Sequence, residues 1–177
     1  MRVDAGREGD AVIKYFAYGS NMYSRRLAAR VRSSRFYAIA WLANHRLAFH
    51  KRGSDGSGKC SVVSVDEAGG AVPGVVYAID EADRRTLDGI EGVGHGYEAV
   101  WREVTVNGRS ESVYLYVAEQ YAVDDSVKPF CWYRDFVVAG AREHGFPEAY
   151  LRWLAGVSCV RDPRPDRERR NRRLLAE

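Results

Sequence analysis

Tyr18-Gly19-Ser20-Asn21 is the first of three segments whose residue types could do chemistry, and it lies between a predicted strand and a predicted helix. Glycine lets the backbone turn tightly and lets a ligand come close. The N–H groups at the start of the following helix would attract an anion or a developing oxyanion. An ordinary turn uses the same residues, with Ser20 or Asn21 as the helix cap, so the spacing alone leaves both interpretations open.

Glu91 is the second candidate, within Leu87-Asp88-Gly89-Ile90-Glu91-Gly92-Val93-Gly94-His95-Gly96-Tyr97. It lies four residues after Leu87, on the stripe where Leu87 and Ile90 are expected to be buried. A carboxylate on an apolar face is desolvated, so its pKa should rise toward neutrality, where it can act as general base and then as general acid. The alternative is a helix that ends one residue early, with Glu91 in water. The glycines favour a ligand site by leaving room against the backbone, but their spacing is not that of a dinucleotide-binding loop.

Tyr133 is the third candidate, between Trp132 and Arg134 at the start of a late helix. Its hydroxyl could hold a polar ligand while its ring packs, and a tyrosine that only packs in the core fits the same pattern. His95, in the glycine segment, is interpreted as a loop histidine.

The cysteines have no metal-type spacing and indicate neither a disulfide framework nor a zinc site. Each has apolar or aromatic neighbours and is interpreted as a small core residue, a nucleophilic cysteine being the alternative. They are Cys60, Cys131 and Cys159.

Alternating and β-branched runs predict strands that hold these candidates. The strands are expected at 12–18, 36–42, 45–49, 60–65, 71–79, 97–106 and 112–117. Helices are expected at 22–31, from 81 to the glycine segment with Asp80 as its cap, at 129–143 and at 147–154. Turns at 67–70 and at Asn107-Gly108 predict two hairpins, and 51–59 is interpreted as a surface loop. This order predicts an α+β fold, with a mainly antiparallel, strongly bent or barrel-like sheet and helices packed outside it.

Composition places the chain among globular proteins. Its 177 residues are 46% hydrophobic, which suits one domain with a real core. No apolar run approaches the roughly 18 residues of a membrane span, and residues 1–10 lack the apolar centre of a secretory signal, so a cytoplasmic location is expected. The net charge of +3 is concentrated from Arg161 to Arg173, where seven of thirteen residues are arginine. Such a tail could attract nucleic acid, and it is interpreted first as a solvated, partly disordered end.

The three candidate segments occur together in one known family. Tyr15-Phe16-Ala17-Tyr18-Gly19-Ser20-Asn21-Met22, the segment 87–93 with Tyr97 after it, and Tyr133 followed by Gly140-Ala141-Arg142-Glu143-His144-Gly145-Phe146-Pro147 resemble the signatures of the γ-glutamylcyclotransferase family. The resemblance runs from about residue 13 to 154, in the same order and with similar spacing. It implies a small, bent, mainly antiparallel β-barrel with peripheral helices. It also implies three segments: a flexible N-terminus at 1–10, a catalytic domain at 11–158 and a basic tail at 159–177.

The resemblance also implies an activity, conversion of a γ-glutamyl amino acid, dipeptide or amine to 5-oxoproline and a free amine. It implies a general base and acid at Glu91 and no metal or cofactor. The substrate-binding residues that it implies are Tyr18, Gly19, Ser20, Asn21, Met22, Tyr97 and Tyr133. The expected partner is then a small-molecule γ-glutamyl substrate. No membrane association is expected, nucleic-acid binding is disfavoured, and a homodimer is left open.

Two segments lie outside the family pattern, the 51–59 segment and the arginine-rich tail. They are expected to decide what is attached to the γ-glutamyl group. One alternative is a cyclotransferase that removes a γ-glutamyl protecting group from a biosynthetic intermediate, because members of the butirosin-pathway type share the Tyr18–Asn21 turn. A second is a non-catalytic γ-glutamyl-binding homologue, and a third is a nucleic-acid-binding protein that works through the tail.

Overall fold

Five strands close into a barrel in the computed structural model, which describes residues 11–66 and 70–176. The barrel order is β1-β5-β2-β6-β7, with β1 at Val12–Ala17, β2 at Arg35–Ala43, β5 at Ala71–Asp80, β6 at Tyr97–Val106 and β7 at Arg109–Ala118. Neighbouring strands are antiparallel except β1 and β7, which pair in parallel and close the barrel. A separate two-stranded sheet contains β3 at His45–Arg52 and β4 at Gly58–Ser64. The predicted α+β class and bent barrel are confirmed.

Five α-helices of the described chain lie around the barrel. They are α1 at Ser24–Ala28, α2 at Glu81–Glu91, α3 at Cys131–Glu143, α4 at Glu148–Gly156 and α5 at Pro165–Ala176. The helix that carries Glu91 ends where Gly92 takes the left-handed conformation, with φ at 76°. Because glycine adopts this conformation without a side-chain clash, the sequence itself sets the end of α2.

The Asn107-Gly108 hairpin is confirmed. Val106 pairs with Arg109, and both turn residues have positive φ, 48° and 77°. That is the geometry of the tight turn whose twist matches the flanking strands.

The other predicted hairpin, between segments 60–65 and 71–79, is wrong. Strand β4 pairs with β3, whereas β5 pairs with β1 on one side and with β2 on the other. The reason is that β5 is an almost continuous buried run, which is typical of a central strand with both edges occupied. Residues 67–69 of the predicted turn lie outside the described residues, as do residues 1–10 of the predicted flexible N-terminus.

The helix predicted at 22–31 is shorter and starts differently. A 3-10 turn covers Ser20–Met22, and α1 begins only at Ser24. The caps predicted at Ser20 and Asn21 are wrong, because their side chains bond elsewhere, and Glu143 accepts the Ser24 N–H at 2.9 Å instead.

Two of the cysteines form a disulfide, which contradicts the interpretation of all three as unpaired core residues. Cys131 at the start of α3 is bonded to Cys159, with their Cα atoms 5.0 Å apart. The two cysteines are 28 residues apart in the sequence, so no short motif reveals that they pair. Cys60 is a free thiol, 2% exposed, as expected of a core residue.

The arginine-rich tail is not a disordered end, because it forms α5 and contacts α3. Asp162 anchors it: its carboxylate is 3% exposed and accepts hydrogen bonds from Trp132 Nε1 at 2.8 Å and from Arg167 at 2.6 and 2.7 Å. The Arg164 N–H donates to it as well, at 2.8 Å, so this buried carboxylate accepts four hydrogen bonds and is well satisfied. Within the described residues, no helix is long and apolar enough to cross a membrane.

Candidate active site

A small inner pocket of about 30 Å³ lies where β1 ends and α2 ends. Seven of the eight predicted site residues line it: Tyr18, Gly19, Ser20, Asn21, Glu91, Tyr97 and Tyr133. Met22 does not, because its side chain is fully buried and packs against Gly140 of α3. The pocket's other lining residues are Tyr15, Cys60 and Tyr116.

The turn after β1 is held close to β4 and α3. A Cβ at Gly19 would lie 3.0 Å from the Cβ of Cys60 and 3.4 Å from the Tyr133 hydroxyl. A Cβ at Gly140 would lie 2.5 Å from the backbone nitrogen of Tyr23 and 2.6 Å from the Cβ of Met22. A side chain at Gly140 would clash with the backbone of the turn, and one at Gly19 would need its neighbours to shift by a few tenths of an ångström, so glycine at both positions favours the approach of these elements.

Glu91 faces the turn through two hydrogen bonds to one of its oxygens. Oε1 accepts from Asn21 Nδ2 at 2.9 Å and from Arg30 Nη1 at 2.8 Å. Arg30 Nη1 also donates to Asn21 Oδ1 at 3.1 Å, so the three side chains form a closed triangle. Oε2 has no hydrogen-bond partner among the described residues, and this oxygen is therefore available to a ligand.

The surroundings of Glu91 differ from the expected apolar face. Its side chain is 17% exposed and forms an ion pair with Arg30, while Ile90, expected in the buried stripe, is 44% exposed. Leu87 is fully buried, as expected. The helix ends at Glu91, and Leu87 is its one buried residue, so the last turn of α2 does not continue the apolar stripe into the core.

The N–H groups of Ser20 and Asn21 begin the 3-10 turn and bond to no acceptor among the described residues. The first N–H groups of a helical turn have no partner within the turn. They are therefore free to bind a ligand oxygen that develops negative charge.

Buried tyrosines form much of the wall. Burial raises the pKa values of Tyr15, Tyr18, Tyr97 and Tyr133, so all four are neutral phenols at physiological pH. Tyr18 donates to the carbonyl of Tyr116, and Tyr97 donates to the carbonyl of Cys60 at 2.5 Å.

The hydroxyls of Tyr15 and Tyr133 differ from these two, because they accept hydrogen bonds. The donors are Asn21 Nδ2 for Tyr15 and the Cys60 N–H for Tyr133, each at 3.0 Å. Neither phenol proton is donated to a hydrogen-bond acceptor within the described part of the chain. Both protons are available for a substrate.

The glycines after Glu91 do not line the pocket and so do not provide the clearance that the pattern suggested. Gly92, Gly94 and Gly96 all have positive φ, at 76°, 78° and 116°. They are used to reverse the chain from α2 into β6. His95 is exposed, which agrees with its interpretation as a loop histidine.

A larger outer pocket of about 130 Å³ adjoins the inner one. The two share Ser20, Glu91, Tyr97 and Tyr133, so they form one continuous depression. The segment 51–59, predicted to be a surface loop, contributes to the wall of the outer pocket. Residues 53–57 are the loop itself. Lys51 and Lys59 instead belong to strands β3 and β4 and are largely buried.

The basic side chains of the site were not among the predicted residues. Arg26 and Arg30 both line the outer pocket, and their spacing of four residues on a predicted helix was an available signal. Cys60 and Tyr116 had no such signal, because they come to the pocket from two strands in different sheets, and Tyr15 lies next to the predicted turn, in a segment that the sequence analysis had interpreted only as a strand.

Comparison with known proteins gives a consistent result. Residues 71–154 match the model of the AIG2-like family. The chain is 31% identical over 159 residues to the gamma-glutamylcyclotransferase of Bos taurus, covering 85% of this chain and 81% of that protein. It is 29% identical over 152 residues to the gamma-glutamylcyclotransferase of Homo sapiens, covering 81% and 77%.

The fold matches as well. A solved structure described as a gamma-glutamyl cyclotransferase superposes with a TM-score of 0.80 at 24% identity, covering 92% of this chain and 99% of that one. A yeast structure described as specific to glutathione superposes with a TM-score of 0.64 at 13% identity, covering 82% and 94%. Both structural similarities concern the fold alone.

Proposed function

Because the chain belongs to the γ-glutamylcyclotransferase family, we propose that it converts a γ-glutamyl amide into 5-oxoproline and a free amine. The observation that carries the proposal is the position of Glu91, whose unpaired Oε2 lies in the same pocket as the free N–H groups of Ser20 and Asn21. A base and an oxyanion site side by side are what this cyclisation needs.

The reaction balances without water or a co-reactant. The α-amine of the γ-glutamyl group attacks its own side-chain carbonyl carbon, which forms a new C–N bond and a tetrahedral oxyanion. The original amide C–N bond then breaks. The attacking nitrogen loses two protons, one from the ammonium before the attack and one after the new C–N bond has formed, and the departing nitrogen gains two and leaves as an ammonium.

We assign each step to a residue of the pocket. Glu91 Oε2 takes the proton from the ammonium and returns it to the leaving nitrogen, while Ser20 and Asn21 N–H groups bind the oxyanion. Tyr15 and Tyr133 hold the polar ends of the glutamyl chain with their free phenol protons. Holding a flexible chain in the cyclising geometry is itself a large contribution, with effective molarities of roughly 10⁵ M or more in well-oriented systems.

Other functions have less support. A non-catalytic binding homologue would not need an oriented carboxylate with a free oxygen.

A role in nucleic-acid binding would need unpaired positive charge on the arginine-rich tail. Four of the seven arginines of the tail, however, pair with acidic residues of this chain. They are Arg161, Arg167, Arg169 and Arg172.

We also propose a cytoplasmic location. The cytoplasm keeps most thiols reduced, so this location predicts that Cys131 and Cys159 are thiols in the cell. Alkylation of a freshly quenched cell extract, followed by mass spectrometry of the two peptides, measures their state. A fully bonded pair would point to an oxidising compartment instead.

The activity is tested by incubating the purified chain with a panel of γ-glutamyl amides and following 5-oxoproline by mass spectrometry. The panel contains γ-glutamyl amino acids, a γ-glutamyl dipeptide and γ-glutamyl alkylamines, and the Glu91→Gln variant serves as the matched control. Release of 5-oxoproline by the wild type and not by the variant supports the proposal. No release from any member of the panel would refute it.

A further inference from the structure

The outer pocket carries an excess of positive charge. Four cationic side chains line it: Arg26, Arg30, Lys51 and Lys59. Only two of these have a carboxylate partner. Arg30 is paired with Glu91 at 2.8 Å, and Lys59 is paired with Asp55 at 2.8 Å. Within the described residues, Arg26 and Lys51 have no acidic side chain within ion-pair distance.

Of the two cations without a carboxylate partner, Lys51 is the stronger indication that the outer pocket binds an anion. The residue is 6% exposed, and its side chain makes no hydrogen bond or ion pair among the described residues. Its ammonium lies 4.6 Å from the centre of the Tyr97 ring, at the boundary between the two pockets. A buried ammonium is normally paired, because removing it from water is costly. An unpaired one in the wall of an open pocket marks the place of an anion.

Arg26 is the second unpaired cation. It is 8% exposed, and it donates to Ser20 Oγ at 3.1 Å and to Asn171 Oδ1 at 3.3 Å, both of which are neutral acceptors. Its guanidinium also lies over the ring of Phe136, 4.4 Å from the centre. A guanidinium stays protonated in proteins, so its charge remains uncompensated. The contact with Asn171 shows that α5 supports this side of the pocket.

We propose that the outer pocket is the leaving-group subsite and that the amine released there is an acidic amino acid, whose two carboxylates neutralise Lys51 and Arg26. The inference rests on the proposed function and specifies its substrate. Glu91 and Tyr133 belong to both pockets, so the scissile nitrogen lies at their junction, and the released group extends into the outer pocket. A released group without carboxylates would supply no anion to either cation.

The test uses three substrates that differ in the charge of the released group, namely γ-glutamyl-glutamate, γ-glutamyl-glutamine and γ-glutamyl-ethylamine. Glutamate and glutamine are nearly equal in size, so their comparison isolates one charge. For the wild type, kcat/KM should be about 10-fold higher for the glutamate than for the glutamine substrate, because a charged hydrogen bond in the site is lost. The ethylamine substrate, which lacks both carboxylates, should be about 100-fold poorer than the glutamate substrate.

The variant Lys51→Met removes the first cation, and Arg46→Met is its control, since Arg46 is an exposed cation on the same strand, outside both pockets. Lys51→Met should reduce the preference for glutamate over glutamine to less than about 3-fold, and Arg46→Met should keep it. Lys51→Arg, which preserves the charge, should retain most of the preference. If Lys51→Met fails to fold, Lys51→Gln replaces it.

The outcomes separate the two proposals. Equal or better turnover of γ-glutamyl-glutamine by the wild type overturns the acidic subsite and leaves the cyclotransferase activity in place. A preference for the glutamate substrate that survives in both Lys51→Met and Lys51→Gln also overturns the acidic subsite and leaves the cyclotransferase activity in place. Turnover of none of the three substrates overturns the acidic subsite, and turnover of no member of the γ-glutamyl panel removes the proposed function as well.

Discussion

Arg30 Nη1 donates a hydrogen bond to Glu91 Oε1 at 2.8 Å and to Asn21 Oδ1 at 3.1 Å. This one group therefore fixes the carboxylate against the turn that follows β1. With Oε1 held by Arg30 and Asn21, Oε2 is the oxygen left to face the pocket. The arrangement gives Glu91 a fixed direction, which proton transfer at a small reacting centre requires.

Glu91→Gln should keep the fold and substrate binding but lower kcat by about 1,000-fold or more, because general acid–base catalysis contributes roughly 10²–10⁴-fold and the amide cannot take the proton. The amide oxygen can still accept from Arg30, so the melting temperature should change little. Release of 5-oxoproline and thermal unfolding are the two measurements. A variant that turns over at the wild-type rate would show that Glu91 is not the base.

Arg30→Met should lower kcat/KM by about 10- to 100-fold, because a misplaced catalytic group costs up to about this factor. Arg30→Lys should recover part of the loss, since lysine supplies the charge without the two-pronged geometry of the guanidinium. Arg32→Met is the control, because Arg32 is an exposed cation two residues away. Equal activities of the Lys and Met variants would argue against a positioning role for Arg30.

Tyr133→Phe should lower kcat/KM by about 10-fold through the loss of one hydrogen bond to the substrate. It also removes the acceptor of the Cys60 N–H, so unfolding should become easier by about 1 kcal/mol. Tyr121→Phe is the control, because Tyr121 is a 64% exposed tyrosine outside the pockets. Unchanged kinetics in Tyr133→Phe would assign the residue to packing alone.

The sequence predicted the parts of the fold that depend on local pattern. The hairpin at Asn107-Gly108 and the helix end at Gly92 were predictable because both need positive φ, which short stretches of sequence reveal. The partners of β5 were not, because a continuous buried strand gives no sign of which neighbours flank it.

The site was predictable to a similar degree. Its turn, its glutamate and Tyr133 belong to recognisable segments, and seven of the eight predicted residues meet in one pocket. Lys51 and Arg26 were missed because their burial results from packing between distant elements, and a lysine or arginine in a polar segment is usually exposed. Met22 does not line the pocket, because its side chain is buried in the core.

Gly140→Ala should destabilise the fold by about 1–3 kcal/mol, the usual cost of overpacking a tight contact. The new methyl group would lie 2.5–2.7 Å from Met22 and Tyr23 backbone or Cβ atoms, which cannot move without displacing the active-site turn. Activity should fall with stability.

Gly89→Ala is the matched control for Gly140→Ala, because Gly89 lies within α2 and a Cβ there meets nothing within 4 Å. It should stabilise the helix by up to about 1 kcal/mol, the difference in helix propensity between glycine and alanine. Chemical denaturation of both variants measures the two effects. Equal effects of the same sign at both glycines would contradict the close approach of α3 to the turn.

Asp162→Asn should destabilise the fold at neutral pH by about 3 kcal/mol, because it breaks a buried ion pair and leaves Arg167 without its partner. The Arg167 guanidinium and the Arg164 and Trp132 N–H groups hold the pKa of Asp162 well below its usual range. A carboxyl group whose pKa is depressed on folding stabilises the protein fully above its unfolded pKa, near 3.8, and loses that effect as the pH falls toward its folded value. The difference in unfolding free energy between wild type and variant should therefore stay constant from pH 7 to about pH 5 and shrink below about pH 4. A difference that already shrinks between pH 7 and pH 5 would mean that another group, and not Asp162, titrates at the anchor of α5.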